Sequence, residues 1–302
     1  MSNLVEIKKR IASITSIIKV TKVMQMIATA KVAKIKQMMI PMDRYNNLAT
    51  SILSSYLAHA ENKENINKFI QHNKTEDKTQ NSPKNAKVLL ILLSSDKGTC
   101  GSVNTNIFKE FTSLVKQHQQ QGTQVAVYAI GKKARQYLSK HASRLNIQSF
   151  REDNFAEAEN CNSQVIGQIV SDAINGYVEK DFDRIEIVYH KFKNIITCNA
   201  VCEQLLPINI NNIPSNDMPF VNILESEQTA TSVIELFIRT QIYNAYVSNL
   251  ASIISSRMNA MDNATKNGQE IIDDLRIKYN KSRQAGITAE LSDIVSGFEA
   301  IS

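Results

Sequence analysis

No glycine precedes Gly98, the first proline is Pro41 and no proline follows Pro219, so the amino end of this 302-residue chain lacks glycine and the carboxyl end lacks proline, the strongest helix breaker. Aromatic side chains are scarce at 6%, yet 43% of residues are hydrophobic, which suffices for a buried core and for two domains. Long apolar runs are missing too. The longest strongly apolar stretch, Val88 to Leu93, is far short of the ~20 residues that cross a bilayer, so no transmembrane helix is expected. The first residues pass directly into a charged periodic segment without an apolar signal region, and export is not expected.

Four cysteines (Cys100, Cys161, Cys198, Cys202) do not make a disulfide framework in a chain of this length, and reduced thiols are the expectation. The histidines (His59, His72, His118, His141, His190) are scattered rather than set at finger-like spacings, so no metal site is expected. The loop Ser94-Ser95-Asp96-Lys97-Gly98-Thr99-Cys100-Gly101 leads from an apolar strand run into a helical segment, as a phosphate cradle does. The specific signals are missing, however. Gly131-Lys132 is followed by Lys133, with Ala126 where a P-loop has its first glycine, and G-x-G-x-x-G does not occur. A tight turn needing glycine reads equally well. G-x-S-x-G and H-E-x-x-H are also absent. Glu290 and Asp293, one helical turn apart near Arg283, read as a solvated or ion-paired face. No catalytic constellation emerges, and no cofactor is expected.

What is present is a periodic, basic amino end. Residues 1–36 carry Lys8, Lys9, Arg10, Lys19, Lys22, Lys31, Lys34 and Lys36 against the single acid Glu6, which is essentially the whole +6 excess of the chain. Such a segment suits nucleic acid, an anionic membrane surface or an acidic protein, and charge alone does not choose. Along it, Leu4, Ile7, Ile11, Ile14, Ile18, Thr21, Gln25, Ala28, Val32, Ile35, Met39 and Met42 alternate spacings of three and four, the signature of a coiled-coil seam. Thr21 and Gln25 place polar groups in that seam, which weakens it but can fix register. Ile17, Val20, Met24 and Ile27 lie beside it and imply a second apolar neighbour. Pro41 should bend the helix rather than end it, since the pattern resumes through Leu48, Ile52, Leu53 and Tyr56.

At the carboxyl end, residues from about Thr229 to Ala300 read as one helix, on the order of 100 Å long. Its expected seam is Val247, Leu250, Ile254, Met261, Ala264, Gly268, Ile271 and Leu275. Ala264 and Gly268 would allow close backbone approach; alternatively, Gly268 and Gly286 are tolerated defects costing ~1 kcal/mol each. A last stripe, Ile287, Leu291, Ile294, Phe298 and Ile301, extends beyond what the shorter amino-terminal helix need cover and implies a protein sleeve.

Between the helices, residues 61–86 hold six asparagines and few apolar residues, and read as a linker or mobile loop. Strands are then expected at Val88–Leu93, Gln124–Ile130, Ile147–Phe150 and Arg184–His190. Helices are expected from about Val103 to Gln119 and over Lys132–His141 and Gln164–Tyr177, with an apolar/polar stretch Ile195–Leu206 at the end. The alternation predicts a Rossmann-like α/β domain with a largely parallel sheet, flanked by long terminal helices that pair as an antiparallel coiled coil. The expected divisions are 1–57, 58–86, 87–226 and 227–302.

Three segments together resemble the gamma subunit family of the F-type ATP synthase, the central rotor shaft. They are Ile7-Lys8-Lys9-Arg10-Ile11 through Lys19-Val20-Thr21-Lys22-Val23-Met24-Gln25-Met26-Ile27-Ala28, Leu93–Gly101 with Asn104-Thr105-Asn106, and Arg257–Thr265 with Tyr279–Leu291 running to Gly297. Two departures stand out. This chain has Ala251-Ser252-Ile253 where the family has Ala-Ser-Glu, and Gly297-Phe298 where Gly-Ala is usual. The resemblance implies a non-catalytic subunit of the complex, with alpha and beta subunits, an epsilon subunit and a membrane c-ring as partners. It implies neither nucleic acid nor a homo-oligomer. It also implies a place on the cytoplasmic side of a bacterial inner membrane. It assigns contact with the alpha/beta hexamer to Lys8, Lys9, Arg10, Lys19, Lys22, Met24, Arg257, Arg283, Gln284, Thr288 and Glu290. The stripe Ile287, Leu291, Ile294, Phe298 and Ile301 is expected to act as a bearing, because apolar contact is non-directional.

Overall fold

The computed structural model describes residues 2–59, 68–70, 86–147, 149–156, 163–209 and 227–299. Among the described residues the elements run in the order α1 (Ser2–His59), β1 (Lys87–Leu93), α2 (Val103–Gln120), β2 (Gln124–Ile130), α3 (Lys132–His141), β3 (Ser149–Ala156), α4 (Ser163–Val178), β4 (Arg184–Phe192), β5 (Cys198–Leu206) and α5 (Glu227–Glu299). The chain divides into two compact units, one of residues 1–30 with 257–302 and one of residues 31–256.

In the larger unit the five strands lie in the order β3-β2-β1-β4-β5. β1 pairs in parallel with both β2 and β4, β2 pairs in parallel with β3, and β5 closes one edge antiparallel to β4. The centre of the sheet is apolar on both faces, as a covered parallel sheet requires: Leu89 to Leu93 are all buried. Val88, Leu90 and Leu92 meet Val125, Val127 and Ala129 of β2, Val188 of β4, Ile107, Phe111 and Val115 of α2, and Ala134 and Leu138 of α3 in one cluster.

Several expectations require correction. β3 begins at Ser149 and runs to Ala156, longer and later than Ile147–Phe150, because Arg151, Glu152 and Asp153 carry no apolar alternation. The stretch after β4 is an antiparallel strand from Cys198. Within the polar stretch 61–86, Phe69 and Ile70 are buried: Phe69 stacks on Tyr177 at 5.8 Å, Ile70 bridges Ile208, and Ile208 N–H donates to the Phe69 carbonyl at 2.7 Å. The remainder of that stretch up to residue 85, and Cys161, lie outside the described residues. At Pro41, as expected, α1 does not end. α1 also contains an 18-residue window apolar enough, by length and composition, to cross a bilayer. Seeking an unbroken apolar run missed it, because the isoleucines and valines of a coiled-coil helix are interleaved with polar residues.

The loop after β1, which leads into α2, also meets the start of α3 beside Gly131-Lys132. The first three amides of α3 already carry oxygens from this loop: Lys132 N–H donates to Asp96 Oδ1 at 3.1 Å, Lys133 N–H to the Ser95 carbonyl at 3.0 Å and Ala134 N–H to Ser94 Oγ at 2.7 Å. Gly131 has φ +101°, and a Cβ there would lie 2.6 Å from the Ser94 carbonyl oxygen. Glycine at 131 is therefore required by close approach of two loops, and the start of α3, where Gly131-Lys132 lies, is capped by the chain itself.

Candidate interaction surface on the paired terminal helices

In the smaller unit, α1 and α5 run antiparallel in a register set by contacts across the seam. Thr21 Oγ1 lies 2.8 Å from Thr265 Oγ1, and Gln25 Nε2 donates to Asp262 Oδ1 at 2.9 Å. Moving forward along α1 moves backward along α5. The seam positions from Leu4 to Ala28 are all half-buried or buried, with Thr21 8% and Ala28 3% exposed, so the alternating spacing locates the covered face.

The α5 seam departs from expectation at one position. Ile271 is 47% exposed, and its neighbour Ile272 is buried at 3%. From Gly268 the covered face steps by four to Ile272 and then by three to Leu275, the reverse of the order assumed. The two candidate glycines also separate. A Cβ on Gly268 would lie 2.8 Å from Ile18 Cγ1, so glycine permits close approach there, whereas nothing lies within 4 Å of Gly286.

The polar layer is more complete than Thr21 and Gln25 alone suggest. Thr265 Oγ1 also bonds the Met261 carbonyl at 2.9 Å, and Lys266 Nζ pairs with Asp262 Oδ2 at 2.7 Å. Hydrogen bonding from Lys266 is the largest cause holding the Asp262 carboxyl below its ordinary pKa, aided by Lys266 charge and by the bond from Gln25. Asp262 and Thr265 lie three residues apart on the seam edge, a spacing that marks them as counterparts to Thr21 and Gln25 only once the register is known.

Outside the seam lies an uncovered surface. Ile17, Val20, Met24 and Ile27, the second stripe of α1, are 57%, 55%, 42% and 54% exposed. Lys8, Lys9, Arg10, Lys19 and Lys22 are exposed around it. On α5 the register brings the start of α1 opposite about residue 285, and beyond it Ile287, Leu291, Ile294 and Val295 stand 51–67% exposed. Arg283, Gln284, Thr288 and Glu290 are exposed on the same stretch, with the Thr288 hydroxyl donating to the Gln284 carbonyl at 3.0 Å. The side chain of Phe298, and Ile301 altogether, lie outside the described residues.

These residues do not form one patch. Arg257, half-buried, and Glu290 lie about 50 Å apart along the helix at ~1.5 Å per residue. Lys19, Lys22 and Met24 belong to the level of the polar layer, and Lys8 to Arg10 to the level of the last α5 turns before the overhang. The arrangement is a two-helix rod with basic and apolar stripes at several heights. Uncovered apolar side chains rimmed by lysines suit a protein partner that surrounds the rod.

A profile of the ATP synthase family matches residues 3–301 of the chain. The ATP synthase gamma chain of Pelagibacter ubique is 32% identical over 308 residues, covering 100% of both chains. That of Flavobacterium psychrophilum is 33% identical over 303 residues, covering 100% of this chain and 99% of its own. Among solved structures, a chain of the central stalk/c-ring of the Tetrahymena thermophila mitochondrial ATP synthase superposes with a TM-score of 0.57 at 24% identity, covering 81% of this chain and 99% of that one. A chain of the Euglena gracilis mitochondrial ATP synthase superposes with a TM-score of 0.62 at 16% identity, covering 99% of this chain and 95% of that one. At these identities the superpositions bear on the fold.

Proposed function

Because this chain belongs to the ATP synthase gamma-chain family, and so is a subunit of the central stalk, we propose that it is the rotor shaft coupling proton flow through a membrane ring to ATP synthesis or hydrolysis in an alpha/beta hexamer. It belongs to a membrane-associated complex. The finer assignments are part of the proposal: it is non-catalytic, turns on the cytoplasmic side of a bacterial inner membrane, and holds an epsilon subunit and the c-ring through residues 87–226. Residues 1–57 and 227–302 form the shaft, and residues 58–86 link it to the α/β domain.

The observation that carries this reading is the uncovered apolar surface of the smaller unit. A pair of helices with Ile17, Val20, Ile27, Ile287, Leu291 and Ile294 all more than half exposed is incomplete without a sleeve. In the proposed assembly Lys8, Lys9, Arg10, Lys19 and Lys22 face acidic beta-subunit loops, Met24 sits among them, and Arg257, Arg283, Gln284, Thr288 and Glu290 supply polar contacts. Ile287, Leu291, Ile294, Phe298 and Ile301 form the bearing tip, where non-directional contact favours no single angle. An off-centre rod then biases each nucleotide site in turn through differential contact with its conformers.

The test is assembly of the purified chain with alpha and beta subunits, followed by ATP hydrolysis with a bead fixed to the larger unit. Stepwise rotation is the expected result. No stoichiometric complex, under conditions where a known gamma chain assembles, would remove the reading. A basic coiled-coil protein for nucleic acid or membrane surfaces, the alternative from charge, is disfavoured by family membership over the full length.

A further inference from the structure

Within the larger unit, α5 is joined to the sheet by side-chain hydrogen bonds at the place where strand pairing gives out. The β1–β4 register stops at Leu92↔Val188, whereas β4 runs on to Phe192. On its other side β4 stays paired with β5 as far as Phe192↔Cys198. Backbone groups along a strand alternate sides, so His190 and Phe192 point the way Val188 does, toward a β1 that has already ended. Their N–H and C=O groups need other partners if they are to be buried.

One stripe of α5 supplies those partners. Asn249 Oδ1 accepts the His190 N–H at 3.1 Å, and Ser248 Oγ accepts the Phe192 N–H at 2.8 Å. The hydroxyls of Ser248 and Ser252 lie 3.3 and 3.2 Å from the His190 carbonyl, the Ser252 hydrogen being shared with the Ser248 carbonyl at 2.9 Å. One turn on, Ser256 Oγ donates to the Cys100 carbonyl at 2.8 Å, in the loop that follows β1. The spacing 248, 252, 256 keeps the hydroxyls on one helix face. His190 and Asn249 are each 1% exposed and Ser252 is 0% exposed, so bulk water does not compete for these bonds. His190 Nε2 also lies 2.8 Å from the Val103 carbonyl at the start of α2, which draws a third element into the same joint. Ile253 is buried against Cys100 and Val103 and gives the joint an apolar seat.

Apolar seating is set by area and tolerates sliding, whereas hydrogen bonds to a fixed strand backbone admit one axial position and one rotation. We propose that Ser248, Asn249, Ser252 and Ser256 are positioning residues that key α5 to the sheet, so that a twisting force on the α/β domain passes into α5 without slip. The torque role rests on the rotor reading; the keying itself does not.

The test uses the full chain, first alone and then assembled with its partner subunits in proteoliposomes. Asn249→Leu removes the acceptor while keeping the branched shape of the side chain. In the chain alone, exchange of the His190 amide is expected to accelerate about ten-fold or more, with β2 amides unchanged, because a buried bond is lost locally. In the complex, ATP hydrolysis is expected to persist while protons pumped per ATP fall about two-fold or more, since a slipping joint wastes rotation. Asn249→Gln, which keeps an uncharged amide acceptor, should perturb both readouts less than Asn249→Leu does. The milder pair Ser252→Ala with Ser256→Ala should act in the same direction and stands in should Asn249→Leu fail to fold. Unchanged pumping per ATP in a variant whose His190 amide exchanges freely would overturn the proposal. Failure of the unaltered chain to assemble overturns the rotor reading instead, and an unchanged His190 exchange rate in Asn249→Leu overturns the keying.

Discussion

The paired terminal helices and the α/β domain use the same apolar residue types to opposite ends. In the domain, isoleucine, leucine and valine are buried on both faces of the sheet, with Leu90, Ile91, Leu92 and Leu93 fully covered. In the paired helices, the seam buries a narrow strip and leaves Ile17, Val20, Ile27, Ile287 and Leu291 more than half exposed. One region completes its own core. The other presents a surface that only a second molecule can complete, so substitutions in the two regions should be read by different instruments, stability for one and assembly for the other.

The largest effect on the chain alone is expected in the domain. Phe111 is fully buried among Ile107, Val115 and the β1–β2 residues, and Phe111→Ala should destabilise the domain by about 3–5 kcal/mol. Denaturant unfolding followed by amide exchange in β1 and β2 measures it. A loss below about 1 kcal/mol would mean that the core is not tightly packed and would break the comparison at its first term.

Gly268→Val comes next and acts on the other region. With Ile18 2.8 Å from the new Cβ, the helices must separate, at a cost of about 1–3 kcal/mol from overpacking. Gly286→Ala, where nothing lies within 4 Å, should instead stabilise the helix by up to about 1 kcal/mol. Amide exchange in the first half of α1 distinguishes them, and equal behaviour of the two glycines would remove the close approach from the account.

How far the sequence foretold this architecture depends on whether a feature is periodic or relational. The α1 seam was legible from Leu4 to Met42 because burial follows a spacing that the residues themselves carry. Ile271 and Ile272 defeated the same method: both are isoleucine, and which one turns inward is decided by the facing helix. Phe69 and Ile70 were invisible within a polar stretch, since two apolar residues make no period. The joint at Asn249 and Ser252 was equally hidden, because nothing local to α5 announces that β1 stops short of the end of β4. Likewise Asp262 and Thr265 acquire a physical role only when Gln25 and Thr21 are placed opposite them.

Acidity should separate the regions by smaller amounts. Burial holds the His190 imidazole below its ordinary pKa of 6.5, against a weaker opposing effect of its bond to the Val103 carbonyl. The unfolded chain therefore binds the proton more readily, so this stability is fully present above about pH 6.5 and is lost as pH falls toward the folded value. For one proton the slope is at most about 1.4 kcal/mol per pH unit. A second window opens lower. Burial alone would raise the Glu186 carboxyl, but bonding and charge from His118, with the Cys202 thiol and Arg184, outweigh it and hold it below 4.5, so that contribution is lost on further acidification. Urea titrations at a series of pH values should show both windows, with His190→Gln flattening the upper and Glu186→Gln the lower. A variant that leaves its own window unchanged would assign that slope to other groups.

The smallest effect on the chain itself is expected where its role in the assembly is greatest. Ile294 is 67% exposed on the part of α5 that has no α1 residue opposite among the described residues, so Ile294→Glu removes little buried area and should change stability by no more than about 0.5 kcal/mol. In a sleeve of partner subunits the same side chain would meet apolar surface, and a carboxylate there would be desolvated without a counter-charge, which is costly. Co-purification with alpha and beta subunits and ATP turnover of the complex are therefore expected to fall while the melting temperature of the chain does not move. If assembly and turnover both persist, the overhang is not seated in an apolar sleeve, and the uncovered residues of the rod must be explained by contacts lower down, at Ile17, Val20 and Ile27.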